Sequence, residues 1–447
     1  MSVETDNASI IRPSAIVMAC VKTLRILGGF PYVLEAGAVR KSSKLKAWGK
    51  EAIDGQASKP NSLAKSTWLV VWSWAVVLGF TALSVAVPLA NIFWPTKSWV
   101  LLKGNTLLVA SNIYVWVKMG FASLLHISLF HSSTSLARVL ERLSLVSGRN
   151  PRVPRNLSTY GAFCLLALDL ALILGRIIRT AEYSGPLLQV LQRLFADVMQ
   201  KMISTVFTLF VYYSSLSLTF GYKNILPLSR PCRNETVIRF RESVQLGLQA
   251  ALEADASNVR DDSAEDHTFH RLGQKAKHQP RNAQLSDIHA TSALEKLFDL
   301  QQFQGIFNEY IALPVIFLHI WAVANIIFAS YMSLKQILTG TNLFYMTSDM
   351  LKNIMIIILL NCAPELITRQ REELRQLIFF LRLEPADKIV DEKLGRLLEL
   401  MGAYPDYNMG HLFVICKGRL VSIVTFIATY LVILLQFDVG ELSSAHA

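Results

Sequence analysis

Apolar residues in this chain are gathered into long windows rather than alternating singly with polar ones. Several windows run near the roughly 20 residues that a helix needs to cross a bilayer, and seven windows in all are interpreted as spans. The pattern therefore predicts an all-α, polytopic membrane protein with seven transmembrane helices and cytosolic helical extensions. The predicted spans are 68–90, 107–129, 160–178, 202–220, 311–332, 350–362 and 419–437.

The basic residues predict how the chain is oriented. Most of the 44 Lys and Arg residues fall in the N-terminal segment and in the loops after spans two, four and six. Because loops rich in Lys and Arg stay on the cytosolic side, we expect the N-terminus inside and the C-terminus outside. This orientation disfavours a G-protein-coupled receptor, whose N-terminus lies outside.

Polar and apolar stretches divide the chain into seven segments. Between spans six and seven, apolar residues recur at helical spacing on either side of Pro385, which predicts two cytosolic helices suited to holding subunits together. The alternative is that these two helices lie on the inner leaflet of the membrane. We expect a half-helix at His411–Cys416 before the last span. The segments are a cytosolic N-terminal segment (1–66), spans one to four (67–220), a cytosolic, partly disordered loop (221–292), a cytosolic helix with spans five and six (293–367), the cytosolic helical layer (368–408), the seventh span (409–437) and an extracellular tail (438–447).

The seventh span carries a narrow polar stripe. Ser422, Thr429 and Gln436 repeat every seven residues and lie on one helix face. Such a stripe requires a partner helix or water, and identical helices around one axis would line a pore with it. The alternative is that the hydroxyl groups donate back to the backbone four residues earlier.

The end of this span also carries a motif. Thr429-Tyr430, five apolar residues and Gln436-Phe437 resemble the signature that closes insect gustatory receptors, and the stretch Leu27–Tyr32 is similar to the one before that family's first span. The resemblance implies a ligand-gated, non-selective cation channel in the plasma membrane of sensory neuron dendrites. It also implies a tetramer around the seventh spans, formed alone or with other gustatory receptors. The implied pore and gate residues are Ser422, Thr429, Ile433, Gln436 and Phe437.

Polar residues inside the other spans are candidates for a ligand pocket or for structural pairs. A charge at the bilayer centre is costly, so Asp169 and Arg176 in span three are each expected to meet another span. In span five, Trp321 and Asn325 offer a stacking surface beside an amide, which suits a small polar molecule. Packing and interfacial anchoring remain alternatives for every member. The candidate pocket residues are Tyr114, Trp116, His319, Trp321, Asn325, Tyr345 and Asp349.

Other chemistry has little support in the sequence. Sequence signatures of hydrolases, metalloproteases, nucleotide-binding loops and dinucleotide-binding folds do not occur, so an enzyme is not expected. No cofactor or metal site is predicted, and the scattered basic residues fit membrane lipids rather than nucleic acid. We favour a gustatory receptor opened by a sugar-like, fructose-like tastant. The alternatives are a bitter or odorant receptor of the same superfamily, a G-protein-coupled receptor, or a transporter that uses Asp169 or Arg176.

Overall fold

The computed structural model describes residues 13–34, 63–93, 105–146, 157–181, 187–225, 287–339, 344–383, 388–403, 408–409 and 413–444. The helices are α1 (Pro13–Ile26), α2 (Thr67–Phe93), α3 (Asn105–His131), α4 (Ser133–Val146), α5 (Leu157–Ala181), α6 (Leu187–Lys223), α7 (Asp287–Thr339), α8 (Phe344–Leu383), α9 (Lys388–Ala403) and α10 (Gly418–Ser444). The strands are β1 (Tyr32–Leu34), β2 (Leu63–Lys65), β3 (Asn408–Met409) and β4 (Phe413–Val414). Each strand pair, β1 with β2 and β3 with β4, forms a short antiparallel ladder.

The predicted all-α membrane architecture is confirmed. Each predicted span falls within one of the helices α2, α3, α5, α6, α7, α8 and α10. Six of these helices contain stretches long and apolar enough to cross a membrane, and α5 contains a shorter apolar stretch, Cys164–Gly175. The side of the membrane on which each end lies stays a prediction.

Two helices are longer than the spans inside them. The helix α7 has 53 residues, so the cytosolic helix expected before span five and the span itself form one continuous element. We expected span six, 350–362, to stop at Pro364, but this is wrong, because α8 has 40 residues and runs through Pro364 to Leu383. A proline removes one backbone N–H from the helix. Pro364 is buried between the buried residues Ala363 and Ile367, and this packing outweighs the lost hydrogen bond.

The residues before α10 are extended rather than helical. Strand β4 pairs with β3, and Phe413 lies opposite Met409. The expected half-helix at His411–Cys416 is therefore wrong. A helix of about one turn is too short to be stable by itself, and the aromatic and β-branched side chains of Phe413 and Val414 favour extended backbone.

The first helix ends in a glycine turn. Gly28 has a φ of 77°, which lies in the left-handed region that glycine adopts readily. The N–H of Gly29 donates to the carbonyl of Leu24 (2.8 Å), and the N–H of Gly28 donates to the carbonyl of Arg25 (3.1 Å). These two bonds form a Schellman motif. The Gly-Gly pair noted in the sequence therefore ends α1 and directs the chain into β1.

The core of the membrane helices is centred on α6. Every side chain from Ile203 to Leu218 is buried, and the aromatic rings of Phe207, Phe210 and Tyr310 pack against one another with centroids 5.8 to 6.5 Å apart. Several of its small polar residues donate back to their own helix, as Thr208 does to the carbonyl of Ser204 (2.7 Å). Small residues with internally satisfied hydroxyls let neighbouring membrane helices approach closely.

The chain divides into two compact units. The first contains Met1–Phe220, Gln302–Ile367 and Asp406–Ala447, and the second contains Gly221–Gln301 and Thr368–Pro405. The helices α7 and α8 contribute residues to both units.

Within the second unit, α9 is fixed to the first part of α7 and the last part of α8. The amide of Gln301 donates to the carbonyl of Leu400, and Lys393 donates to the hydroxyl of Thr291, each at 2.7 Å. Arg382 pairs with Asp391 at 2.9 Å, and this guanidinium lowers the pKa of the Asp391 carboxyl. Buried apolar residues lie beneath these contacts: Ala290, Ala293, Leu297, Leu374, Ile378, Leu394, Leu397 and Met401.

Replacing Gly28 with alanine should destabilise the chain. A Cβ atom there would lie 2.7 Å from the Cβ of Val76, and a left-handed alanine costs about 1–2 kcal/mol before any clash. We expect Gly28→Ala to lower the thermal midpoint of the detergent-solubilised protein by several degrees. Gly79→Ala is the matched control, because a Cβ there meets nothing within 4 Å. An unchanged midpoint for Gly28→Ala would show that the turn does not matter for stability.

Candidate functional site

A buried ion pair joins three membrane helices. Lys352 of α8 lies 2.5 Å from a carboxylate oxygen of Asp169 in α5, and both side chains are fully buried. The same ammonium group donates to the carbonyl of Lys201 in α6 (3.2 Å). A charge inside a bundle requires an opposite charge and further hydrogen bonds. The expectation that Asp169 meets another span is therefore confirmed.

A second polar group lies one turn earlier on α8. The hydroxyl of Tyr114 in α3 donates to Asp349 (3.1 Å), and the ammonium of Lys118 lies 3.9 Å from the same carboxylate oxygen. Lys118 also lies 5.8 Å from the centroid of the Tyr114 ring. All three side chains are buried. We call Tyr114, Lys118 and Asp349 the Asp349 cluster.

One face of α7 leads toward this cluster. Trp321, Asn325 and Phe328 follow one another at intervals of four and three residues, which places them on one helix face. The ring of Phe328 lies 5.8 Å from the ring of Tyr114, so this face is directed at α3. Trp321 and Asn325 are buried, and the indole N–H and the amide nitrogen have no acceptor in the described part of the chain. An unsatisfied buried donor costs about 1–3 kcal/mol, which a ligand with acceptor oxygens would offset.

Two of the predicted pocket residues, His319 and Trp116, do not join this face. His319 links α7 to α8: Nδ1 donates to the carbonyl of Val315, and Nε2 accepts from the amide of Asn361, each at 3.0 Å. Both ring nitrogens of His319 are thus occupied by hydrogen bonds within the protein. Trp116 is 38% exposed, because it lies on the opposite side of α3 from Tyr114. The side chain of Tyr345 lies outside the described residues.

The polar stripe of α10 faces away from its own chain. Leu431, Leu434 and Leu435 pack against Tyr331 and Met332 of α7, and Met346 of α8 packs against the same two residues. At about 100° per residue, the stripe lies roughly opposite the centre of this packed face. The five predicted pore residues, Ser422, Thr429, Ile433, Gln436 and Phe437, are all exposed within the single chain.

Two hydroxyl groups near the stripe donate to the helix itself. Thr425 donates to the carbonyl of Val421 (3.0 Å), and Thr429 donates to the carbonyl of Thr425 (2.9 Å). This is the backbone bonding considered as the alternative from the sequence. Each hydroxyl oxygen still retains acceptor capacity, so the bond back to the helix leaves the stripe able to meet water or cations.

Sequence reasoning missed the partners that complete the buried groups. Lys352, Lys118 and Asn361 were not chosen as site residues, although they satisfy Asp169, Asp349 and His319 respectively. The sequence did offer one indication of these partners. A carboxylate inside a span requires a cation from another span, and Lys352 and Lys118 both lie within predicted spans. Among the described residues, no group of three His, Cys, Asp or Glu side chains could hold a metal ion.

Comparisons with known proteins show what the chain resembles. Residues 267–441, in the C-terminal part of the chain, match the family described as 7tm Chemosensory receptor. No curated protein matches the chain. The predicted resemblance to insect chemoreceptors is confirmed over this C-terminal part.

Solved structures show the same fold. The insect olfactory receptor OR5 from Machilis hrabei, in complex with eugenol, matches with a TM-score of 0.56 and 12% sequence identity, over 94% of this chain and 97% of that chain. The structure of the same receptor described without a ligand matches with a TM-score of 0.55 and 12% identity, over 95% and 98% of the two chains. This chain is therefore a multi-pass membrane protein with the fold of an insect olfactory receptor.

Breaking the buried ion pair should impair folding. Lys352→Met leaves the Asp169 carboxylate buried without its cation, a change that typically costs about 3–5 kcal/mol. We expect Lys352→Met to lower surface expression and the thermal midpoint sharply, and the double variant Asp169→Leu/Lys352→Met to regain much of both.

The matched control is Arg396→Gln, which breaks the exposed pair with Glu392 (2.8 Å). Exposed pairs contribute about 0.2–1 kcal/mol at most, so this variant should behave like the wild type. If Lys352→Met were as stable as Arg396→Gln, the ion pair would not hold these helices together.

Proposed function

We propose that this chain, whose C-terminal part matches a chemosensory receptor family, is a gustatory receptor that forms a ligand-gated, non-selective cation channel in the plasma membrane. Four copies surround a pore lined by α10. A small polar tastant, most simply a sugar such as fructose, binds among α3, α7 and α8 of each copy and opens the pore. An odorant-type ligand is the second candidate, because a receptor of the same fold is described in complex with eugenol.

The placement of α10 is the observation that carries this proposal. The stretch Gly418–Phe437 is apolar enough to cross a membrane, yet none of it is buried in the single chain. Its polar side chains point away from the packed leucines. Polar groups facing hydrocarbon alone are costly, so the stripe requires either other copies of the helix or water. A ring of neutral amides and hydroxyls without acidic residues suits weak selectivity among cations.

The second unit supports assembly by its exposed apolar side chains. Phe298, Phe379 and Ile389, all within the second unit, are 55%, 51% and 54% exposed. In a cytosolic unit such residues favour contact with another protein surface. They are suited to hold the copies together while the membrane helices move.

The unpaired donors of α7 support a ligand rich in oxygen atoms. The indole of Trp321 offers a flat apolar face and an N–H, and Asn325 offers an amide one turn away. Hydroxyl, ether and carbonyl oxygens would satisfy these donors, and a sugar carries several of them.

Ligand binding can reach the pore helix through direct packing. The helix α7, which carries the candidate ligand face, contacts α10 through Tyr331 and Met332, and Met346 of α8 packs against the same two residues. A ligand opens the channel only by binding the open arrangement more tightly than the closed one. A ligand that changes the packing of α7 against α8 would therefore bias the position of α10.

The pore assignment is tested by whole-cell recording with sugars, bitter compounds and phenolic odorants. We expect a ligand-evoked cation current whose relative ion permeability changes in Gln436→Ala, because the amide lies on the stripe. Val424→Ala is the matched control: it is 64% exposed but lies about 120° around the helix from Gln436 at 100° per residue. A permeability altered equally by both variants, or by neither, would contradict a pore along the stripe.

The ligand face is tested by Trp321→Phe, which removes the N–H together with the five-membered ring of the indole. Trp321 is 3% exposed, so the smaller side chain leaves a cavity and the thermal midpoint should fall modestly. The half-maximal ligand concentration should rise about 2- to 12-fold, the effect of one hydrogen bond worth about 0.5–1.5 kcal/mol. Trp116→Phe, on the opposite side of α3, should leave it unchanged. If both variants left the ligand response at the wild-type level, Trp321 would not touch the ligand.

A further inference from the structure

Arg25 occupies an unusual position at the end of α1. Its Nε atom and one terminal nitrogen are buried and have no hydrogen-bond partner in the part of the chain that the structure describes. The side chain lies beside a helical stripe of buried apolar residues, Val17, Cys20, Val21 and Leu24. A guanidinium group carries five N–H donors and no acceptor, so buried unpaired nitrogens require an anion or another acceptor.

The carbonyl groups of the same helix end do not supply this acceptor. The carbonyls of Leu24 and Arg25 accept from the glycine turn, and that of Ile26 accepts from the indole of Trp72 (3.1 Å). Arg25 therefore does not cap its own helix. Burial lowers the pKa of Arg25, which reflects the cost of its charge there without a counterion.

The surroundings of Arg25 match the headgroup level of a bilayer. Helix α2 enters its apolar stretch at Thr67, and three tryptophans near that point are exposed: Trp68, Trp72 and Trp74 at 73%, 42% and 50%. Tryptophans concentrate at the boundary between hydrocarbon and water. The hydrogen bond from Trp72 to the end of α1 places Arg25 at this same boundary.

We propose that Arg25 binds the phosphate of an anionic phospholipid, whose acyl chains lie along the exposed tryptophans of α2. A guanidinium binds a phosphate through two parallel N–H bonds, which uses the nitrogens that lack a partner within the described residues. Lipid chains would cover Trp68 and Trp72, so one molecule satisfies both the charged and the apolar part of this surface. The predicted cytosolic position of α1 places the site on the leaflet that carries most anionic lipid.

The test compares lipid retention by the full-length protein. Wild type, Arg25→Gln and Lys22→Gln are reconstituted into vesicles of phosphatidylcholine with 20% phosphatidylserine, about the level that gives a negative surface, then extracted and analysed by native mass spectrometry. Lys22→Gln is the matched control, because Lys22 is exposed on the same helix. We expect Arg25→Gln to retain about five-fold less phosphatidylserine, the equivalent of about 1 kcal/mol for one basic residue, while Lys22→Gln retains the wild-type amount.

Three other outcomes would contradict a lipid site at Arg25. Equal retention by wild type and Arg25→Gln would overturn the proposal, and equal loss in both variants would indicate general attraction to a basic surface. Displacement of the lipid by inorganic phosphate at millimolar concentration would assign the site to free phosphate instead of lipid. Arg25→Lys, which keeps the charge but not the two parallel bonds, should retain an intermediate amount and separates a poorly folded variant from a lost phosphate contact.

Discussion

The ion pair between Asp169 and Lys352 is the contact on which the membrane bundle depends. Within a bilayer, water cannot satisfy a polar group, so each buried charge must find its partner inside the protein. Lys352 finds these partners in the carboxylate of Asp169 in α5 and the carbonyl of Lys201 in α6, to both of which it donates. It thereby fixes α8 against two helices, and the Asp349 cluster one turn away fixes it against α3. The candidate ligand face of α7 is positioned against this fixed framework.

Some polar groups around this framework are satisfied within the bundle, and others are not. Ser215 of α6 donates to its own backbone, and His319 is held between Val315 and Asn361. The indole N–H of Trp321 and the amide nitrogen of Asn325 are buried without an acceptor among the described residues. Gln436 and its neighbours along the stripe of α10 are exposed in the single copy. The proposed ligand would satisfy the first set of groups, and the proposed intersubunit pore would satisfy the second.

The sequence predicted the number and positions of the spans, because the thickness of the bilayer and the burial of backbone groups leave few alternatives to helices of this length. It also predicted that Asp169 needs a partner in another span. It could not identify Lys352, which is 183 positions away, since the choice among distant cations depends on helix packing. Predictions from the local sequence failed at two places where packing or strand pairing was stronger than the local preference. Pro364 did not end α8, and Phe413–Val414 formed a strand in place of the expected half-helix. Trp116 was grouped with Tyr114 because both are aromatic, although a spacing of two residues places them on opposite faces of α3.

The position of α7 and α8 explains how one bundle would serve the two tasks of the proposed function. Phe328 of α7 and Asp349 of α8 both contact Tyr114 of α3, and Trp321 and Asn325 lie on the same helix face as Phe328. These side chains would recognise a polar molecule by hydrogen bonding. Toward α10, Tyr331 and Met332 of α7 make apolar contacts with three leucines. Apolar contacts are not directional, so they permit small shifts of α10. In the proposed function, the directional contacts would hold the ligand side in place and the apolar contacts would let the pore helix move.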